Sequence, residues 1–261
     1  LIRRQRQMCI RDRGYSRGNV HRLLATLEEL GFVELIEDRG YRLTYKMFKL
    51  GNKVIEHSKL EEVAHPFLGP LAEKAGEDVC LTVLYEKSII IVERIKSANL
   101  LTLDHDVAHT YPLHCSASGK LFLSSFDDES LWRLLEDLDL EKRTERTITD
   151  KNALFQEIFK IRKLGYSLDL REYSEDIHTI AAPIYDYTRR IVATISISGP
   201  SQRLTEAKMQ TLVNPLLQTA EEISRKMGCD QAGNMNYKKM QKAFWESKKV
   251  VYRSNNHRGG M

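Results

Sequence analysis

SRGNVHRLLATLEELGFVELIEDRGYRLT, residues 16–44, decides the fold of the first part of this chain. Val20, Leu23, Leu24, Leu27 and Leu30 recur at helical spacing and predict one apolar stripe. Ser16 suits the N-cap, and Gly31 suits a C-terminal stop. The other face carries Gly18, Arg22 and Ala25, flanked by Asn19, His21 and Thr26. Two strand-like runs follow at once, Phe32 to Ile36 and Tyr41 to Leu43, around the turn signal Asp38-Arg39-Gly40. A helix running directly into a small hairpin is the second half of a winged helix-turn-helix. There the helix enters the major groove and the hairpin lies by the backbone. Arg17, Asn19, His21 and Arg22 are then the candidate base readers, because Arg reads guanine and Asn reads adenine through paired hydrogen bonds. Arg17, Arg39 and Arg42 suit phosphate contacts equally well. The ordinary alternative for Arg22 is a solvated helix face.

The charge distribution agrees with a nucleic-acid reader joined to a larger domain. The 261 residues carry a net charge of +4, yet residues 1–22 hold +6 and residues 229–261 hold +5. The stretch between them therefore holds −7. Basic ends over an acidic body fit a small reader beside a domain with other work, although solvated tails give the same pattern. No apolar run approaches the ~20 residues that a membrane helix needs. No signal peptide is visible, and the four cysteines form no CxxC. Reduced thiols in a cytoplasm are the expectation.

Further along, residues 46–58 predict a connecting helix and residues 60–75 a second one, with a kink or break expected at Pro66 and Pro70. Strand-like runs follow at 79–85, 88–95 and 100–104, the first two joined through Glu86-Lys87 as a hairpin. Helices are expected after residue 117, over 127–138, over 150–165 between Asp150 and Gly165, and over 204–228, with a kink at Pro215. Strands are expected at 166–170, 179–186 and 191–198. Consecutive strands this closely spaced exclude an all-βαβ arrangement and predict an α+β domain. Residues 229–261 read as a basic, disordered tail.

PLHCSASGK, residues 112–120, concentrates reactive residue types. It is not a phosphate loop of the GxxxxGK[ST] kind, because His114 stands where the first Gly belongs and Leu121 follows the Lys. A Cys–His catalytic pair would use Cys115, yet neighbouring side chains on extended backbone point to opposite faces. A distant His178 would have to serve instead. A metal site would draw on His105, His109, His114, Asp104 and Asp106, whose spacing matches no standard zinc pattern. Ligand capture fits better. Ser116 caps a helix whose first turn offers N–H groups, and Ala117, Ser118 and Gly119 are small enough for close approach. A strand-to-helix packing turn is the plain alternative.

Taken together, NVHRLLATLEELGFVE with YRL, PLHCSASGK, RTITD (146–150), GYSLDLREY (165–173), IAAPIYD (180–186) and SISGPSQRLT (196–205) resemble the IclR family of bacterial transcription regulators, over about residues 16–228. The resemblance implies a winged helix-turn-helix over 1–45, a linker helix over 46–58 and a GAF-like effector domain over 59–228 with a curved antiparallel sheet flanked by helices. It implies operator binding as a homodimer or homotetramer, control by a small organic acid, no cofactor and no catalysis. By motif position the effector pocket would comprise Ala117, Ser118, Asp169, Thr179, Ser196 and Ser198. Ser196 and Ser198 alternate on one strand, so both hydroxyls share a face. Leu81, Val83 and Ile180 would line the pocket or sit in the core. The family also carries two helices ahead of the recognition helix, which residues 1–15 are too short and too Arg-rich to supply. That leaves open a sensor without DNA binding, and, further off, an enzyme using Cys115.

Overall fold

The computed structural model describes residues 16–36, 40–47, 49–50, 59–99 and 107–229. Segment 1–15, the strand expected at 100–104, most of the linker helix and the tail beyond residue 229 lie outside the described residues. The chain divides into two compact units that meet at Lys59 and Leu60.

In the first unit, α1 (Arg17–Glu29) begins at Ser16, whose Oγ accepts the Asn19 N–H at 3.2 Å. Gly31, at φ +72°, turns the chain straight into the hairpin of β1 (Val33–Ile36) and β2 (Gly40–Leu43). The strands pair antiparallel from Val33 opposite Leu43 to Ile36 opposite Gly40. Thr44 Oγ1 donates to the Gly31 carbonyl and Lys46 Nζ to the Leu30 carbonyl, both at 2.6 Å. These bonds tie the end of the helix to the chain leaving the hairpin. The expected stripe is only partly covered. Val20, Leu24 and Leu27 are half-buried, whereas Leu23 is 64% and Leu30 49% exposed.

The second unit is built on a six-stranded antiparallel sheet in the order β5-β4-β3-β8-β7-β6. Its strands are β3 (Asp78–Tyr85), β4 (Ser88–Ile95), β5 (Thr110–Pro112), β6 (Ser167–Leu170), β7 (Ile177–Tyr185) and β8 (Ile191–Pro200). Before the sheet comes α2 (Lys59–Ala75), and after it α6 (Glu206–Lys226). Between β5 and β6 lie α3 (Ala117–Ser124), α4 (Asp128–Asp137) and α5 (Lys151–Leu164). Asp127, Asp150 and Thr205 cap their helices, and Gly165 closes α5 at φ +74°.

Strand alternation gives the sheet two unlike faces. Val79, Leu81, Ile180, Ala182, Ile195 and Ile197 form one core with α2 and α6. Leu121, Leu131, Leu135, Leu154 and Ile158 form a second core among α3, α4 and α5. Neither proline breaks α2. Pro66 and Pro70 are exposed and stand four residues apart on one side of the helix. The carbonyls they leave unbonded, of Glu62 and of Pro66 itself, therefore face water. Pro215 likewise lies inside an uninterrupted α6.

Two local departures set up the site. The β3–β4 register slips at Leu81/Thr82, so that Thr82 faces Ile91 while Leu81 faces Glu93. The extra residue reverses the alternation of β4. Arg94 joins Ile89 and Ile91 on one face, while Glu93 reaches His65 of α2 on the other. The second departure is the approach of α3, where a Cβ on Gly119 would lie 2.5 Å from Leu113 Cα. Gly119→Ala is expected to lose roughly 1–2 kcal/mol net, with overpacking outweighing the helix preference for Ala. The shift of the urea midpoint at unchanged slope measures it.

Candidate functional site

A cavity of about 50 Å³ lies between the start of α3 and the polar face of the sheet. On the scale of roughly 10–15 Å³ per water, it holds a few heavy atoms. The registers place its floor in rows. Asp78 pairs with Ser198, Ser198 with Thr179 and Thr179 with Asp169, which makes one row across four strands. Arg94, Cys80 and Ser196 make the next row. Thr82 and Thr194 make the third, with their hydroxyls 2.6 Å apart. Tyr111, Tyr173 and Ile177 wall one side, and Tyr111 meets Tyr173 edge-on at 4.8 Å.

All six residues expected at the pocket line this cavity: Ala117, Ser118, Asp169, Thr179, Ser196 and Ser198. The hydroxyls of Thr179 and Ser198 are 3.0 Å apart. Leu81, Val83 and Ile180 do not line it. They stand on the opposite face, against α2 and α6, because their positions fall one residue out of phase with the floor. Asp78, Cys80, Thr82, Arg94, Tyr111 and Tyr173 line it without having been expected. The alternation of Asp78, Cys80 and Thr82 along β3 was a usable signal. Arg94 was hidden by the bulge.

The loop 112–120 resolves into a helix cap. Ser116 Oγ donates to the Pro112 carbonyl at 2.6 Å and accepts from the Gly119 N–H at 3.2 Å. Ala117 and Ser118 then open the first turn over the cavity, where the positive end of a helix favours an anion. Lys120 is fully buried and donates to Glu172 at 2.5 Å. Burial alone would lower its pKa, but Glu172 and Glu157 outweigh that and the net shift is upward. It is a structural cation, bonded to a carboxylate.

Cys115 is buried, and burial pushes its thiol up to about 12. His114 is held at 3.0 Å from the Glu141 carbonyl. His178 is tied at 2.9 Å to the Leu204 carbonyl. No thiolate–imidazole pair is assembled among them. His105, Asp104 and Asp106 lie outside the described residues, and among the described residues no group of metal-ligating side chains is gathered.

On the first unit, Asn19, His21 and Arg22 are exposed along α1. Arg22 Nη2 donates to Asn19 Oδ1 at 2.6 Å, so the two base-reading candidates hold each other. Arg42 Nε lies 2.5 Å from Glu34 on the hairpin. The Arg17 side chain and all of Arg39 lie outside the described residues.

Asp169 is a buried carboxyl of the cavity floor with a raised pKa. Its pKa rises to about 7, through burial first and the Glu172 charge second. Lys120 and the N–H groups of Glu172 and Tyr173, at 2.7 and 3.3 Å, pull the other way. A carboxyl whose folded pKa is raised stabilises the fold fully below its unfolded pKa, and the contribution fades as pH climbs through the folded one. Asp169→Asn keeps the acceptor and removes the charge. Its stability relative to the parent should rise from about pH 4 and level off above about pH 7, in urea titrations across that range.

Comparison with known proteins agrees with this architecture. The model for the bacterial transcriptional regulator IclR C-terminal domain matches residues 52–225, and that for the IclR helix-turn-helix domain matches residues 11–36. The HTH-type transcriptional regulator KdgR of Escherichia coli is 33% identical over 214 residues, 82% of this chain and 81% of the relative. The transcriptional repressor IclR of Escherichia coli is 29% identical over 218 residues, 82% of this chain and 80% of its own. The crystal structure of the Thermotoga maritima IclR superposes with a TM-score of 0.69 at 30% identity, covering 85% of this chain and 90% of that one. Such regulators are not enzymes, so the thiol-dependent alternative falls, and the reading without DNA binding is not favoured. The chain belongs to the IclR family of bacterial transcriptional regulators, which bind operator DNA and small-molecule effectors.

Proposed function

We propose that this protein is a cytoplasmic repressor whose operator binding is relieved by a small organic acid held in the cavity under α3. The observation that carries this reading is the convergence of Ala117, Ser118, Asp169, Thr179, Ser196 and Ser198, from one helix and three strands, on one cavity. The N–H groups of the first α3 turn and the hydroxyls of Ser196 and Ser198 are donors suited to a carboxylate. A protonated Asp169 adds a further donor. The domain partition follows the family pattern: reader 1–45, linker 46–58, effector domain 59–228 and basic tail 229–261. The unit boundary at Lys59 and Leu60 supports it.

The acid acts by population shift. It must bind the DNA-free arrangement of a homodimer or homotetramer more tightly than the DNA-bound one. The linker helix 46–58 is the transmission element. Arg17, Asn19, His21 and Arg22 read bases, while Arg39 and Arg42 meet phosphates. On operator contact Arg22 and Asn19 exchange their mutual bond for base edges, and Arg42 exchanges Glu34 for a phosphate.

Fluorescence anisotropy on DNA from upstream of the protein's own gene, with an unrelated duplex and a salt series, tests the reader. Arg22→Ala should cost about 1–3 kcal/mol on the operator and narrow the preference over the control, while Arg42→Ala should weaken both duplexes alike. Binding equal on both duplexes in the parent rejects the reading. For the cavity, the Ser196→Ala/Ser198→Ala double variant should keep operator binding and its urea midpoint. The acid concentration needed for release should rise by roughly one to two orders of magnitude, as loss of two hydrogen bonds to a charged ligand implies.

A further inference from the structure

The sheet face that floors the first cavity runs on past it. Pro183 lies opposite Thr194, and Leu84 stands two residues beyond Thr82 on β3. The β7–β8 register slips after Ile184, so that Ile184 faces Ala193 while Tyr185 faces Ile191. The extra residue, Val192, stays with the α2–α6 core, and Ile191 turns to the α3 side. There a groove of about 670 Å³ opens at the C-terminal end of α3. Small-molecule sites commonly enclose roughly 300–1,000 Å³. The groove shares no lining residue with the first cavity. Ser116, Ala117 and Ser118 border the one, and Leu121, Ser124 and Ser125 border the other.

The groove has an apolar floor and a cationic rim. Leu84, Leu121, Ile161, Pro183 and Ile191 supply the floor. At the rim, the guanidinium groups of Arg162, Arg189 and Arg190 stand against the single carboxylate of Asp127. That carboxylate is engaged as a helix cap, accepting from the Ser130 N–H at 2.8 Å and the Ser130 hydroxyl at 2.9 Å. A bare helix C-terminus would repel an anion. Arg162 removes that obstacle, since it donates to the Ser124 carbonyl at 3.0 Å and the Phe126 carbonyl at 2.6 Å. Consecutive side chains on extended backbone diverge, but Arg189 adopts φ +63°, and both it and Arg190 border the groove. Asp186, the acid beside Arg190, is held by Thr188 and by the Arg190 backbone N–H. We infer that this groove is a second ligand site, for an amphipathic monoanion whose apolar body covers the floor and whose head meets Arg190. The inference is independent of the carboxylate reading of the first cavity, because the two sites have no residue in common. A cation of the same shape meets a rim of its own sign. A neutral molecule forgoes the charge-assisted bond to the guanidinium. A short acid leaves most of the floor in water.

Isothermal titration calorimetry of the full chain tests this with 4-phenylbutyrate, 4-phenylbutan-1-ol and 4-phenylbutylamine, which put three heads on one apolar body. The acid should bind about tenfold or more tighter than the alcohol, and the amine weakest. Arg190→Gln should lower acid affinity about tenfold and leave the alcohol unchanged, while Arg190→Lys restores most of the preference for the acid. Arg190 is exposed and both substitutions keep its backbone N–H, so urea midpoints equal to the parent's certify their fold. Leu84→Ser, at a position 40% exposed, should weaken acid and alcohol alike by about threefold or more. Absence of acid binding to the parent at millimolar concentration overturns the inference. Equal binding of acid and alcohol by the parent overturns it too. So does an acid affinity untouched by both Arg190→Gln and Leu84→Ser, which places the acid elsewhere on the protein.

Discussion

The second unit depends on how closely α3 is pressed against the chain that precedes it. The gap at Gly119 admits no Cβ, since one would fall 2.5 Å from Leu113 Cα and 2.6 Å from the Leu113 carbonyl. Ser116 locks the same corner by bonding the Pro112 carbonyl on one side and the Gly119 N–H on the other. A helix seated this way cannot slide along the sheet without losing the bond to Pro112 of β5. Its opening N–H groups are therefore fixed over the floor. Packing turn and ligand cradle were competing readings of the same nine residues. In the proposed reading they are one feature, because the small residues that allow the approach are also those that bare the backbone.

What the sequence disclosed follows from which physical signals are local. Caps at Ser16, Asp150 and Thr205, and the stop at Gly165, depend on neighbours within one turn, and the structure has them all. The shared face of Ser196 and Ser198 needs only strand alternation. Phase between strands is different, because it depends on pairing register. Pocket or core was therefore left open for Leu81, Val83 and Ile180, which the register places in the core, and Arg94 was invisible because one inserted residue reverses its strand. Tyr111 and Tyr173 come from a short edge strand and a loop, where no period exists to read. Pro66 and Pro70 carried a true local penalty that exposure of the unbonded carbonyls to water reduces. The six pocket candidates came from family resemblance, a longer-range signal than any period.

The charges beneath α3 explain how such a polar surface survives burial. Lys120 is one cation near three carboxyls, Glu172, Glu157 and Asp169. Its ammonium bonds Glu172, and burial still holds the Glu172 pKa above the ordinary carboxylate value. Asp169 has no such bond, and burial first and the Glu172 charge second raise its affinity for a proton. Holding the proton there lowers the charge enclosed in the domain, which is cheaper than ionising a second carboxyl beside the first. With a pKa of about 7, Asp169 is partly neutral at neutral pH, which in the proposed reading reduces the negative charge that an external acid meets.

The sheet also supplies a short route between cavity and core. Cys80, Ser196 and Ser198 line the cavity, while the residues between and beside them on the same strands, Val79, Leu81, Ile195 and Ile197, pack on the other face. That face is covered by Leu60, Ala64, Leu68 and Leu71 of α2, the helix that begins at the unit boundary. A displacement of β3 or β8 toward a ligand moves both faces together, since neighbouring residues share a peptide plane. Close-packed cores do not absorb such shifts continuously; they repack between discrete arrangements. The side of α2 that meets the sheet is apolar and tight, and its prolines lie on the wet side. In the proposed mechanism, strain from the cavity would reach the first turns of α2 through this packing. An effector alters operator occupancy by whatever free energy separates its binding to those two packings, and by no more than that.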